Sequence, residues 1–287
     1  MSTNKTILVT GATGKQGGAL IDALAGKGFR LLAMTRHPDG DAAQKLRASS
    51  VDVVAGDLDD AASLGRAVAG VWGVFAVQNT WEAGVEREEA QGKRLAHVAK
   101  DAGVQHYVYA SVGSADRHTG IPHFDNKARV EETVRSLNFP SYAIYRPVFF
   151  MENLTSPWFL NGDTISSALD PSTVLQMIAA TDIGKYAARL FIDAERLDGR
   201  EIDIAGDART LPETADVLGR AFGRPIKYVQ IPLEDVRRNS EDFALMLDWF
   251  NRVGYDADID GVAREFGITP MRLDQWASMQ RASAPAR

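Results

Sequence analysis

The stretch that most constrains this chain is Thr6-Ile7-Leu8-Val9-Thr10-Gly11-Ala12-Thr13-Gly14-Lys15-Gln16-Gly17-Gly18. A short apolar run rich in β-branched residues stops at Gly11, and the helix-compatible run Ala19-Leu20-Ile21-Asp22-Ala23-Leu24-Ala25 follows. Gly11, Gly14 and Gly17 make G-x-x-G-x-x-G, a relative of the G-x-G-x-x-G dinucleotide fingerprint. In that fingerprint the first glycine permits a tight turn, the second lets a pyrophosphate approach the backbone, and the third lets helix and strand pack closely. Free N–H groups at the helix start, together with the helix dipole, favour the phosphate charge. Spaced glycines alone would not carry this reading; the strand before them and the helix after them do. Gly11, Ala12, Thr13, Gly14, Lys15, Gln16 and Gly17 are therefore expected to hold a dinucleotide.

The strand–helix alternation continues beyond this loop. Strand-like apolar runs fall at residues 6–10, 30–35, 51–55, 72–77, 106–111 and 142–145, with helical candidates at 15–25, 41–47, 61–69, 86–102 and 126–137. The strands are apolar throughout more than they alternate, as expected where both faces of a sheet are covered. Such alternation implies an α/β fold, a Rossmann-type doubly wound parallel sheet with right-handed crossovers. Ligands of such sheets lie beyond the carboxyl ends of the strands. From residue 161 the alternation fails, and a smaller C-terminal α+β lobe is expected. The domain reading is 1–155 and 156–287, with part of the chain free to return to the sheet and a frayed tail from about residue 281.

Composition narrows the function classes. With 32 basic and 38 acidic side chains the net charge is −6 and no long basic run appears, which argues against nucleic acid as a partner. There is no cysteine, so disulfides, thiolate metal sites and thiol redox sensing are excluded. His37, His97, His106, His118 and His123 show no ligand spacing, and no metal site is expected. The first strand begins within a few residues of Met1, which leaves no room for a leader, and no apolar run reaches the length of a membrane span. A cytoplasmic protein is the expectation, as a monomer or a homodimer.

The strand ends supply the remaining candidates. Strand two ends at Thr35-Arg36-His37-Pro38, where an NAD-preferring protein places Asp or Glu for the ribose hydroxyl. An arginine there suits the 2′-phosphate of NADP, because its planar fork binds phosphate bidentately. Gly56-Asp57-Leu58-Asp59-Asp60 follows strand three; Asp57 and Leu58 are expected to wall the adenine, while Asp59 or Asp60 caps the next helix. Strand four runs into Gln78-Asn79-Thr80-Trp81, a turn expected over the middle of the cofactor. Trp81 either floors a substrate pocket or packs locally. The next helix opens with Glu86-Arg87-Glu88-Glu89, read as a solvated face. Strand five ends at Ser111. Later, residues 181–192 are expected to form a helix capped by Thr181 or Asp182, and Phe243, Leu247 and Phe250 fall near helical spacing. Phe243, Met246, Trp249 and Phe250 either face a substrate cavity or a partner, or fill a helix core.

The glycine loop, Arg36, the Gly56-Asp57 turn and Ser111 together resemble the extended and atypical short-chain dehydrogenases/reductases. In active oxidoreductases of that superfamily a serine at this strand end holds the substrate oxygen, and a Tyr-x-x-x-Lys pair exchanges a proton with the substrate. Here the stretch His123-Phe124-Asp125-Asn126-Lys127 puts His123 in the tyrosine position and keeps Lys127 four residues on. With Asn79-x-Trp81-Glu82 upstream and Glu152-Asn153-Leu154 downstream, the chain resembles the NmrA-like family over residues 6–277. The resemblance implies NADP(H) as cofactor, with Lys127 on the nicotinamide ribose and Phe150, Met151, Glu152 and Asn153 along the nicotinamide end. His123 has two open roles, a general acid or a polar wall. The family comprises NADP-binding regulators and redox sensors, with sister reductases of quinones, dyes and phenylpropanoids. Lacking the tyrosine, this chain is read as a redox or cofactor sensor with a regulatory protein partner. The alternative is an NADPH-dependent reductase of quinones or similar carbonyl and enone substrates, with Lys127 and His123 at the reacting end.

Overall fold

The computed structural model describes residues 5–283. The first half runs β1 (Thr6–Val9), α1 (Lys15–Leu24), β2 (Arg30–Thr35), α2 (Asp41–Ala48), β3 (Asp52–Ala55), α3 (Ala61–Val68), β4 (Gly73–Ala76), the single turn α4 (Thr80–Ala83), α5 (Val85–Asp101), β5 (His106–Ala110), α6 (Pro122–Ser136) and β6 (Ser141–Pro147). The second half contains β7 (Phe149–Phe150), β8 (Leu160–Asn161), β9 (Thr164–Ser167), β10 (Val174–Ile178), α7 (Ala180–Ile192), β11 (Arg200–Ile204), β12 (Asp207–Thr210), α8 (Leu211–Phe222), β13 (Lys227–Gln230), α9 (Leu233–Arg237), α10 (Glu241–Arg252), α11 (Ile259–Phe266) and α12 (Leu273–Ser283). The tail expected to fray begins in the last turn of α12, and residues 284–287 lie outside the described residues.

Seven parallel strands form one sheet in the order β11-β6-β5-β4-β1-β2-β3. This is the Rossmann-type doubly wound sheet, extended by β11, which returns from the second half to pair with β6. Alternation along β1 shows why the strands read as continuously apolar. Ile7 and Val9 enter one buried cluster with Leu20, Ile21 and Leu24 of α1 and Tyr186 and Leu190 of α7. Leu8 faces the other way, into a cluster with Leu64 of α3, Leu95 of α5 and Val130 of α6. Helices thus cover both faces of the central strands, whose side chains meet apolar partners, while nearer the edge Arg30 of β2 and Asp52 of β3 stay exposed and pair with each other at 2.6 Å.

A third cluster, including Met151, Leu175, Leu211, Met246, Trp249, Phe250 and Trp276, holds the smaller lobe together. It contains two small sheets, β12-β10-β7 and β13-β9-β8. Phe124 of α6 also belongs to this cluster, so α6 is shared between the large sheet and the lobe. No helix among the described residues is long and apolar enough to cross a membrane.

Asp60, one of the two expected residues, caps α3 by accepting the Ala62 N–H at 2.9 Å. The cap of α7 differs from expectation. Neither Thr181 nor Asp182 caps α7, which starts one residue earlier; the Ala180 N–H donates to Glu152 Oε1 at 3.0 Å. The cap comes from a distant segment, and Asp182 is instead buried and accepts the Met271 N–H.

Candidate functional site

The order of the sheet reverses between β1 and β4, and the Gly11–Gly17 turn leaves β1 at that point. Gly11 has φ +57°, a left-handed conformation that makes the turn possible. A Cβ on Gly17 would stand 2.4 Å from the Gly11 carbonyl oxygen, so helix and turn approach as closely as backbone allows. Gly14 is the N-cap of α1 and lends no side chain to it, which leaves the first N–H groups of the helix facing the crevice. Ala12 is buried beneath, Thr13, Gly14 and Lys15 are exposed, and the Gln16 side chain accepts the Tyr145 hydroxyl at 2.9 Å. Thr10, not singled out by the sequence, pins β1 to the end of β4: its hydroxyl donates to Phe75 O or Val77 O, each at 3.1 Å, and accepts the Val77 N–H at 2.8 Å.

Beyond β2, Arg36 pairs with Glu82 of α4, while His37 donates its N–H to Thr35 Oγ1 at 3.2 Å. Beyond β3, Asp57 Oδ1 accepts the Asp59 N–H at 2.9 Å, and Leu58 O accepts Arg94 Nη1 at 2.6 Å. Asp59 is drawn to α5, where the Arg87 guanidinium holds its carboxyl below the ordinary range.

Beyond β4 the sequence reading needs a correction. The Glu86–Glu89 run is not uniformly solvated: Glu88 is 1% exposed and accepts from Lys127 Nζ at 2.5 Å, Asn126 Nδ2 at 2.8 Å and the Thr80 hydroxyl. Burial works against its charge, yet the Lys127 charge and the hydrogen bonds from Lys127, Thr80 and Asn126 outweigh that cost, and the Glu88 pKa is lowered. The signal was present. Glu88, Gln91, Gly92, Leu95, Ala96 and Ala99 form the buried stripe of α5, and a carboxylate in such a stripe needs a buried partner. Lys127 therefore meets a counter-ion within the protein.

Two strand ends next to one another, Gln78 after β4 and Ser111 after β5, are buried with side-chain polar atoms that meet no hydrogen-bond partner among the described residues. The same holds for Tyr109 Oη and Asn126 Oδ1. Buried polar groups are ordinarily satisfied, so this set is suited to meet a polar ligand or solvent. Asn79 uses its side chain to cap α4, accepting the Trp81 N–H at 3.2 Å.

His123 stands in the first turn of α6, four residues before Lys127. Its backbone N–H donates to Asp242 Oδ2 at 3.1 Å, and its ring Nδ1 is hydrogen-bonded to Asp242 Oδ1. Asp242 lies in the first turn of α10, 119 residues away, and nothing local in sequence announces it. The Trp81 ring lies 5.2 Å from the His123 ring, and Phe243 meets both Trp81 and Trp158 edge-on at 6.3 and 5.7 Å. Trp81 and Trp158 are mostly exposed, so this aromatic group opens outward between α4 and α10. Met246, Trp249 and Phe250 instead fill the lobe core.

The segment after β6 divides. Phe150 is half-buried against the sheet cluster, and Met151 is wholly buried in the lobe cluster. Glu152 Oε1 is committed to Ala180 N and to Trp276 Nε1, leaving Oε2 buried without a partner among the described residues. Asn153 is half-buried and its carbonyl accepts the Ser156 N–H at 3.1 Å.

The sequence model of the NmrA-like family matches residues 3–277. The nitrogen metabolite repression protein nmrA of Emericella nidulans is 28% identical over 283 residues, covering 92% of this chain and 75% of that protein. A (4-alkanoyl-5-oxo-2,5-dihydrofuran-3-yl)methyl phosphate reductase of Streptomyces griseus is 31% identical over 245 residues, covering 80% of this chain and 79% of that protein. A crystal structure of NmrA, described as a negative transcriptional regulator in complex with NADP, matches with a TM-score of 0.80 at 22% identity. That match covers 99% of this chain and 98% of the other, and it speaks for the fold.

Proposed function

The chain belongs to the NmrA-like family, and from that premise we propose that it is an NADP(H)-binding regulator in which nucleotide occupancy is the signal. The residues present fit the cofactor. The uncapped start of α1 suits a pyrophosphate, Arg36 a 2′-phosphate, and the unpartnered Gln78 and Ser111 the polar groups nearer the nicotinamide. When bound, the cofactor supplies or accepts hydride.

The observation that carries the regulatory reading is the double contact of His123 with Asp242. Where related oxidoreductases keep a proton-donating tyrosine, this chain keeps a clasp between the nucleotide domain and the smaller lobe. Lys127 is likewise held by Glu88. Occupancy of the crevice thereby acts on the joint between lobes, where a protein partner would read it. The lobe boundary near residue 155 belongs to the same reading.

A reductase of planar carbonyl or quinone-like molecules is the second reading, favoured by the open aromatic group of Trp81, Phe243 and Trp158 beside His123. The two are separated by titrating purified protein with NADPH and then offering a panel of quinones, enones and carbonyls while following absorbance at about 340 nm, the reduced-nicotinamide band. The regulatory reading expects saturable binding and no oxidation above the protein-free rate. Robust turnover with any acceptor overturns it.

A further inference from the structure

The Arg36–Glu82 ion pair lies where packing does not require it. Arg36 follows β2, Glu82 belongs to the turn that follows β4, and β2 and β4 are the two neighbours of β1. The pair therefore spans the carboxyl end of β1, over the strand from which the Gly11 turn and α1 depart. Both side chains are about half exposed, at 52% and 53%, so solvent screening leaves the contact weak and reversible. Glu82 also sits on a single short turn. Asn79 caps α4 at one end, and Gly84, at φ +81°, ends it at the other. Its neighbour Trp81 rests on His123.

Resting on the NADP(H) reading above, we propose that Glu82 sets the preference between phosphorylated and unphosphorylated dinucleotides by competing with the 2′-phosphate for Arg36. A 2′-phosphate offers the arginine fork a stronger bidentate partner than a carboxylate, displaces Glu82 and then repels it. An unphosphorylated ribose brings no such charge and leaves the pair closed. Displacement of Glu82 moves α4, so Trp81 leaves His123 only when the nucleotide carries the 2′-phosphate. Glu82 thus weakens NADP(H) binding relative to a neutral residue, and in return makes the 2′-phosphate felt at the lobe joint.

The test uses 2′,5′-ADP and 5′-AMP, which differ by the 2′-phosphate alone, titrated into the full chain with tryptophan emission and calorimetry as readouts. Glu82→Gln is expected to bind 2′,5′-ADP about fivefold more tightly than the parent, and 5′-AMP within about twofold. In the parent, 2′,5′-ADP should change the emission by an amount that Trp81→Phe removes, whereas 5′-AMP should not. Unchanged or weaker binding of 2′,5′-ADP to Glu82→Gln overturns the proposal, as does an emission change equal for both ligands. Arg36→Ala separates the two levels. If it leaves the preference for 2′,5′-ADP intact, the assignment of Arg36 to the phosphate has failed and the competition falls with it. If it abolishes that preference while Glu82→Gln changes nothing, only the role of Glu82 is lost.

Discussion

Replacing Glu88 by glutamine keeps the shape of the buried side chain and removes its charge. In the parent, the Lys127 and Glu88 side chains are 11% and 2% exposed, so the pair is dry and neither charge has an alternative partner in water. Glutamine leaves the lysine ammonium buried without its counter-ion. It also turns one acceptor oxygen into a donor, facing a set of donors that includes Thr80 and Asn126. Breaking a buried pair from one side costs about 3–5 kcal/mol. Unfolding entropy of about 2.1 cal/mol/K per residue comes to about 0.6 kcal/mol/K for 287 residues, so even the lower value lowers Tm by about 5 °C. The sign with pH follows from linkage. Glu88 titrates lower in the folded chain than in the unfolded one, so its stabilisation is present above the unfolded carboxyl pKa and fades as pH falls through the folded value. Melting by differential scanning fluorimetry at pH 7 and at pH 4 should therefore show a wide gap between parent and Glu88→Gln that narrows in acid. Changing both partners, Glu88→Leu with Lys127→Met, should recover more than half of the loss, because the stranded charge is gone. Equal Tm values for parent and Glu88→Gln at pH 7 would refute the buried pair as a source of stability. A gap that persists undiminished at pH 4 would refute the charge as its cause.

Gly17→Ala puts a methyl 2.4 Å from the Gly11 carbonyl oxygen, where only backbone movement relieves the clash, so a stability loss of about 1–3 kcal/mol and a tenfold or greater loss of NADPH affinity are expected by urea titration and calorimetry. Full retention of both would mean that the turn has slack. Asp203 accepts the Ser114 N–H at 2.7 Å, and burial pushes its pKa up to about 6 despite that bond and the nearby Arg146. Its folded pKa lies above the unfolded value near 3.8, so this group makes the fold lose stability as pH rises through that window, by about 3 kcal/mol. Asp203→Asn should remove that slope between pH 4 and pH 6 in urea midpoints, and an unchanged slope would assign it to other groups.

The sheet was legible because its information is local and periodic. Ile7, Leu8 and Val9 are apolar in sequence for the same reason that they are buried from both sides in space. Gly11 and Gly17 were legible because only glycine fits a left-handed turn and a backbone contact at those positions. The site's charge partners were not. In sequence Arg36 suits a phosphate, and the carboxylate that pairs with it comes from 46 residues away. In sequence His123 suits an acid or a wall, and its contact with Asp242 depends on how the lobe docks. Glu88 lies between these cases: its stripe position was written in α5, but a run of four charges obscured it.

The partners that sequence did not announce converge on one turn. In α4, Thr80 bonds the buried Glu88 that holds Lys127, Trp81 lies on the ring of His123, and Glu82 holds Arg36. Three consecutive side chains thus touch the counter-ion of Lys127, the ring of His123 and Arg36. Consecutive residues of one helical turn point in different directions, about 100° apart, so a single turn reaches α5, α6 and the segment after β2 at once. With only four residues, α4 has too few internal hydrogen bonds to hold itself, and its position is set by these outside contacts and by Asn79. If a ligand displaces Glu82 as proposed above, the same turn carries that change to the contacts of Thr80 and Trp81, and this holds whether the chemistry that follows is a signal or a reduction.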